Sequence, residues 1–427
     1  MTGYHRVSAE HLAALATGLG GPAAVRELAA AQRSKRLLLL RYILEAGAGK
    51  VGPAAEALIA ADRRDHGAFA DLIGDPMVGA WLCGTVRKLV HDAGDPATHV
   101  AQVGALAAAA ALRTGLDATV STHTSDGRVT LPGAGTAMLG SDGPAVVTVT
   151  GGEVTVSGPS GPVRTAAGDH GWLPLRRLSA GYGGYAGTVA VEDGNPFRDG
   201  YHAPPAGRLR PDEVGQWQEL FDATWALLAR HLPVRAAELA AGLRALVPLA
   251  ARGEDIARSG TVRDSFGALG LTLPPSVPDF AVTLVHEFQH SKLGGLLDLV
   301  PLTVPDGKER HFAPWRTDPR PTGGLLQGAY AFLGVADTWL ALRAEPACER
   351  RATREFAVAR LQVDAGLDAL QASAELTARG REFTTGLRAA SDLLMAEPVP
   401  RRVAADAAAE LAGTRRAWQQ RNPRVVR

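Results

Sequence analysis

The stretch Thr283-Leu284-Val285-His286-Glu287-Phe288-Gln289-His290-Ser291-Lys292-Leu293 constrains this chain more than any other. On an α-helix, residues four apart share a face, so His286 and His290 project their imidazoles side by side, one turn apart. Two nitrogens at that separation can reach one metal ion at roughly 2.0–2.1 Å. Glu287 is offset around the helix, where it can address a metal-bound water or a substrate without being a ligand. Phe280, Ala281, Val282, Leu284 and Val285 predict that this helix is buried. Two imidazoles and a carboxylate are costly in such a place unless a metal or hydrogen bonds satisfy them.

The order of segments around it predicts an α+β, mostly α, fold in three parts. Residues 1–116 read as a helical region: Ala9–Leu19 after a Ser8 cap, then Ala23–Ala46, then helices near 53–62, 65–73, 76–91 and 101–114. Arg33, Lys35, Arg36 and Arg41 read as a solvated helix face. Residues 117–193 are rich in Val, Thr and Gly. Val146–Thr150, Gly151-Gly152 and Glu153–Val156 form a hairpin signal, so a small antiparallel β-insert is expected. His123 and His170 within it read as surface histidines. Residues 194–427 return to helical periodicity and carry the metal-binding helix. Asp212–Leu232 presents Trp217, Phe221, Trp225 and Leu228 on one face, and Ala236–Leu249 reads as a further helix. Residues 259–278 read as a loop with strand-like pieces, and Gly294-Gly295 should weaken the metal helix. Helices follow from Leu325 to about Arg343 and from Ala347 onward, broken near 377–381 and 398–400.

Composition excludes several partners. Lys+Arg 45 against Asp+Glu 44 leaves no basic excess for nucleic acid or an anionic membrane. Cys83 and Cys348 cannot build a disulfide framework and suit a reducing compartment. No secretory h-region or membrane-length apolar run stands out, so a cytoplasmic protein is expected.

Two histidines do not complete a site. Glu309 lies at a spacing known from zinc peptidases, but in a proline-rich loop. His311 is in the same loop, and Gln327 sits early on the following helix, where Tyr330 and Asp337 also lie. The third ligand stays open between Gln327 and His311. In Ala313-Pro314-Trp315-Arg316-Thr317-Asp318-Pro319-Arg320-Pro321, three prolines hold the backbone extended and present Arg316, Asp318 and Arg320 from a stiff loop.

The blocks His286–Leu293, Leu296–Leu302, Ala313–Pro321, Gly324–Phe332 and Gln32–Leu40 together resemble the HExxH-motif family of peptide-modification proteins. That family includes 2-oxoglutarate-dependent peptide β-hydroxylases of ribosomal peptide biosynthesis. The resemblance implies a zincin-like helical core holding Fe(II) through His286 and His290, with 2-oxoglutarate as co-substrate and Glu287 beside the centre. It implies hydroxylation of a residue, Asp being a candidate, in a ribosomal precursor peptide, with a radical-SAM enzyme as a possible partner. A guanidinium binds a carboxylate through two parallel hydrogen bonds, which makes Arg316 and Arg320 the candidates for the co-substrate's far carboxylate. Trp315 is a candidate pocket wall. The alternatives are a zinc metallopeptidase, with Zn(II) on His286, His290 and Glu309 and with Glu287 as general base, and a non-catalytic peptide-binding partner.

Overall fold

The structure is a computed structural model that describes residues 5–47, 51–91, 96–165, 170–251, 257–304 and 310–423. The first helices are α1 (Ala9–Ala16), α2 (Gly21–Ala46), α3 (Gly52–Arg64), α4 (His66–Ile73), α5 (Pro76–His91) and α6 (Pro96–Thr114). Among the described residues, nine strands follow: β1 (Ala118–His123), β2 (Arg128–Leu131), β3 (Gly135–Met138), β4 (Pro144–Thr150), β5 (Glu153–Gly158), β6 (Gly161–Arg164), β7 (Trp172–Pro174), β8 (Arg176–Tyr182) and β9 (Tyr185–Val191). Next come α7 (Pro211–His231), α8 (Pro233–Gly242), β10 (Ala245–Pro248), β11 (Ser259–Gly260) and β12 (Ala268–Leu271). The chain ends in α9 (Val277–Leu297), α10 (Thr322–Leu342), α11 (Glu349–Gln371), α12 (Ala378–Ala396) and α13 (Arg401–Arg421). Helix dominates, with strands gathered into three small sheets, as expected of a mostly α, α+β chain.

The hairpin at 146–156 forms as its sequence demands. Gly151 and Gly152 both take positive φ, and Val149 pairs with Val154 across them. The strands of 117–193 do not stand apart as an insert, however. Strands β1, β4, β5 and β6 form one antiparallel sheet, and β2, β3 and β7 another; both bury Val and Leu side chains against α3–α6. Strands β8 and β9 instead join a five-stranded sheet, ordered β11-β12-β10-β9-β8, that belongs to the core around α9. Hydrophobic burial, which alternation cannot assign to a particular partner, draws that line within the β-rich segment. Helix α2 spans both units: Val25 and Leu28 lie in the α9 core, Leu40 and Ile43 in the other.

Three further expectations are corrected. The apolar run after Ala236 is not one helix: α8 stops at Gly242, and Ala245–Pro248 is a fully buried strand between β9 and β12, parallel to both. A short apolar run reads alike in a buried helix and a buried strand. Arg36 is not part of a solvated face; it is 2% exposed and donates to the Ile73 carbonyl. Helix α9 runs unbroken through Gly294 and Gly295, and Phe266 packs where a Gly295 side chain would stand.

Helix α10 is long and apolar enough, by length and composition, to cross a membrane. Here it is a core helix: Leu325, Ala329, Tyr330, Ala336 and Leu342 are buried, with α9 on one side and α11 on another. Each buried leucine among them contributes about 1.5–3 kcal/mol by leaving water.

Candidate metal and co-substrate cleft

Helix α9 starts where Ser276 caps it, its hydroxyl accepting from the Asp279 amide, with Pro278 in the first turn. Its two faces are treated differently. Gln289 and Lys292 point away from the cleft into buried polar contacts: Gln289 Nε2 donates to the Gly18 and Tyr330 carbonyls, and Lys292 Nζ donates to the Leu19 carbonyl at 2.6 Å and to Glu238 at 2.9 Å. Arg235 joins this cluster, reaching Gly18, Gln289 and Asp337. The helix is thereby clamped in rotation by the α1–α2 turn and α8. Sequence reading missed this clamp, although a lysine and a glutamine on an otherwise apolar helix mark it.

The opposite face carries His286, Glu287 and His290 into a cleft of about 980 Å³. The two Nε2 atoms face each other at 3.3 Å, with the rings at 83°. An ion about 2.0–2.1 Å from both nitrogens would see them at an angle of roughly 107°, well suited to a first-row divalent metal. The donor set therefore fits a metal as far as two imidazoles go. Burial, and then His290, push the His286 imidazole down to about 4, which leaves it neutral and able to coordinate near pH 7. His290 Nδ1 is 3.1 Å from the Gln327 side-chain oxygen. That oxygen only accepts, so the proton sits on Nδ1 and Nε2 keeps its lone pair.

Of the two candidates for a third ligand, Gln327 places its oxygen against the outer nitrogen of His290. His311 is not among the residues that line the cleft. Its Nε2 lies 3.0 Å from Thr322 Oγ1 and 3.9 Å from Glu375, outside the cleft wall, in a cluster that pins the loop to α10. Glu309 lies outside the described residues. Among the described residues, no three His, Cys, Asp or Glu side chains are grouped to hold a metal.

Glu287 is 3% exposed, and its Oε1 stands 3.9 Å from His286 Nε2. Ser259 donates to Oε1 and Thr261 to Oε2, each at 2.7 Å. These hydroxyls, two residues apart on and just after β11, face the same way and hold the carboxylate against the helix. Neither residue was expected at the site, although alternating Ser259 and Thr261 just before the metal helix is the pattern that would have pointed to them. Glu287 thus flanks the pair on the β11 side and Gln327 on the α10 side.

The loop wall is built on glycines. A side chain at Gly328 would come within 2.3 Å of Trp315, and one at Gly324 within 3.0 Å of Arg320, so both can lie against α10 only because those positions are bare. Trp315 stacks on Phe332 at 4.7 Å, and Phe332 meets the His286 ring edge-on at 5.4 Å. The loop closes on itself through paired backbone hydrogen bonds between His311 and Arg320. Helix α13 braces it: Phe312 packs on Trp418, and Asn422 donates to the Thr317 carbonyl. Arg316 and Arg320 both line the cleft and both lean on Asp318, at 2.7 and 3.4 Å. The hydrogen bond from Arg316 holds the Asp318 carboxyl below its ordinary range. Both arginines remain partly exposed, and an exposed pair of this kind contributes at most about 1 kcal/mol, so an incoming anion can compete for them. In comparisons with known proteins, neither a family model nor a curated protein matches this chain.

Proposed function

We propose that the chain is an Fe(II)- and 2-oxoglutarate-dependent oxygenase that hydroxylates a side chain, Asp being the first candidate, of a ribosomally made precursor peptide in the cytoplasm. In this reading α9, with β11 beside it and α10 behind it, is a zincin-like core. The observation that carries it is the sharing of one cleft by a convergent imidazole pair and two displaceable guanidiniums on a braced loop. A pair of imidazoles would hold such an ion and leave room in the cleft for a 2-oxo acid beside it.

His286 and His290 would hold the ion, which when bound supplies the redox chemistry that couples oxidative decarboxylation of the 2-oxo acid to hydroxylation. Gln327 keeps His290 in the coordinating tautomer. Arg316 and Arg320 bind the far carboxylate of the co-substrate, giving up part of their contact with Asp318. Trp315 and Phe332 form an apolar wall that limits water beside His286. Strand β11 is the edge of its sheet and borders the cleft, so an extended peptide can pair with it. Glu287 orients the peptide side of the site, its two oxygens held by the Ser259 and Thr261 hydroxyls.

The test is anaerobic loading with Fe(II), then addition of 2-oxoglutarate, O2 and a short peptide encoded beside the gene. A gain of one oxygen on the peptide together with succinate supports the proposal; peptide fragments with Zn(II) and no succinate refute it. Arg316→Ala combined with Arg320→Ala should weaken 2-oxoglutarate binding while the metal stays bound.

A further inference from the structure

Four guanidiniums line the cleft, and three are accounted for. Arg263 lies 2.6 Å from Asp298, which also receives Lys35 and Gln32. Arg316 and Arg320 share Asp318. Arg258 lines the same cleft, yet among the described residues its side chain makes no hydrogen bond or ion pair. Its main chain is firmly held: the Arg258 amide donates to Thr272 Oγ1 at 3.0 Å, and its carbonyl accepts from the Thr272 amide at 2.9 Å. The next residue, Ser259, touches Glu287, which in turn lies 3.9 Å from His286 Nε2. A rigid backbone therefore carries an unneutralised, half-buried cation into the metal cleft. Among the described residues, the one acid on the cleft wall is Glu287, which accepts from the Ser259 and Thr261 hydroxyls and makes no ion pair with Arg258. A partly desolvated guanidinium with no counter-ion among the described residues costs free energy in the cleft and recovers it when a carboxylate arrives.

We propose that Arg258 is a carboxylate-binding position that selects peptides with an acidic side chain, Asp or Glu, at the residue seated beside β11. The inference rests on the reading of the cleft as a peptide site. Arg258 stands on the β11 flank of the histidine pair, and Arg316 and Arg320 stand on the flank beside α10. The cleft can hold two carboxylates at once, one on each flank. The same chemistry could be met by the far carboxylate of the 2-oxo acid, and the experiment separates the two sources.

Calorimetric titrations of the full chain would use two blocked ten-residue peptides that differ only in a central Asp or Asn, and 2-oxoglutarate as a third probe. The wild-type chain should bind the Asp peptide about five- to tenfold more tightly than the Asn peptide at low salt. Arg258→Ala should erase that preference and Arg258→Lys should keep part of it, with 2-oxoglutarate binding and the melting temperature unchanged in both. A drop in 2-oxoglutarate affinity in Arg258→Ala, without any Asp preference, keeps the carboxylate site and assigns it to the oxo acid. If Arg258→Ala leaves every affinity at the wild-type value, or if the wild-type chain binds none of the three probes, the proposal is overturned. None of these readouts requires turnover, so a chain that yields no succinate but loses its Asp preference in Arg258→Ala would refute the oxygenase reading alone.

Discussion

Replacing Gln327 tests whether it orients a ligand or is one. In Gln327→Ala the 3.1 Å hydrogen bond to His290 Nδ1 is lost. That bond holds the proton on Nδ1 before any metal arrives, so its loss frees the imidazole to carry the proton on Nε2 and to turn in the cleft. Metal affinity should therefore fall about tenfold, the lower end of the 10–100-fold range for outer-shell partners of ligating histidines. His290→Ala removes a proposed ligand outright and should cost well over 100-fold. The decisive variant is Gln327→Glu. A carboxylate on Nδ1 makes a stronger, charge-assisted bond, so affinity should rise severalfold while the number of protein nitrogens on the metal stays at two. The assay is competition against a chromophoric chelator with Co(II), whose visible spectrum also reports coordination number. The reasoning fails if Gln327→Ala binds metal like the wild type, or if it loses affinity as completely as His290→Ala.

Three further outcomes follow from the packing. Lys292→Met removes the buried cation between Glu238 and the Leu19 carbonyl; Glu238 keeps Arg235 and the Gly21 amide, so the loss in denaturant midpoints should stay below the roughly 3–5 kcal/mol of a fully unpaired buried charge, and replacing Glu238 by Gln in the same chain should restore part of it. Gly328→Ala puts a methyl where Trp315 packs; about 1–3 kcal/mol of stability should be lost, and Trp315 fluorescence should report a more solvated ring, whereas an unchanged spectrum would mean the loop does not rest on α10. Burial, then Asp75 and Asp193, raise the Glu192 carboxyl from 4.5 to about 8. The folded chain therefore binds more protons than the unfolded one between those values. The stabilising protonated form is complete below pH 4.5 and is lost as pH rises to about 8, by up to about 1.4 kcal/mol per pH unit. Glu192→Gln should flatten that decline in melts between pH 5 and 8, and an unaltered slope would place the titration elsewhere.

Local spacing was enough to set His286 and His290 on one face, because a helix has one pitch whatever it packs against. The Gly151-Gly152 hairpin was legible for the same reason, since the conformations open to glycine are properties of the residue itself; the loop from Ala313 to Pro321, expected to be extended, instead turns at Pro314-Trp315 and closes on itself between His311 and Arg320. What local preference could not supply was the identity of partners distant in the chain. Gln327 was visible as a polar residue near a helix start, but which histidine nitrogen it would meet depended on how α10 lies along α9. Ser259 and Thr261 acquire their role only because β12 pairs with β11 and swings that strand over Glu287. Arg36 reads as surface and is buried, and Ala245–Pro248 reads as helix and is a central strand, because burial is decided by what the rest of the chain brings to each position. The chain's own pattern determined the chemical groups of the candidate centre; only the tertiary structure decided which of them face one another, since those contacts join residues tens to hundreds of positions apart.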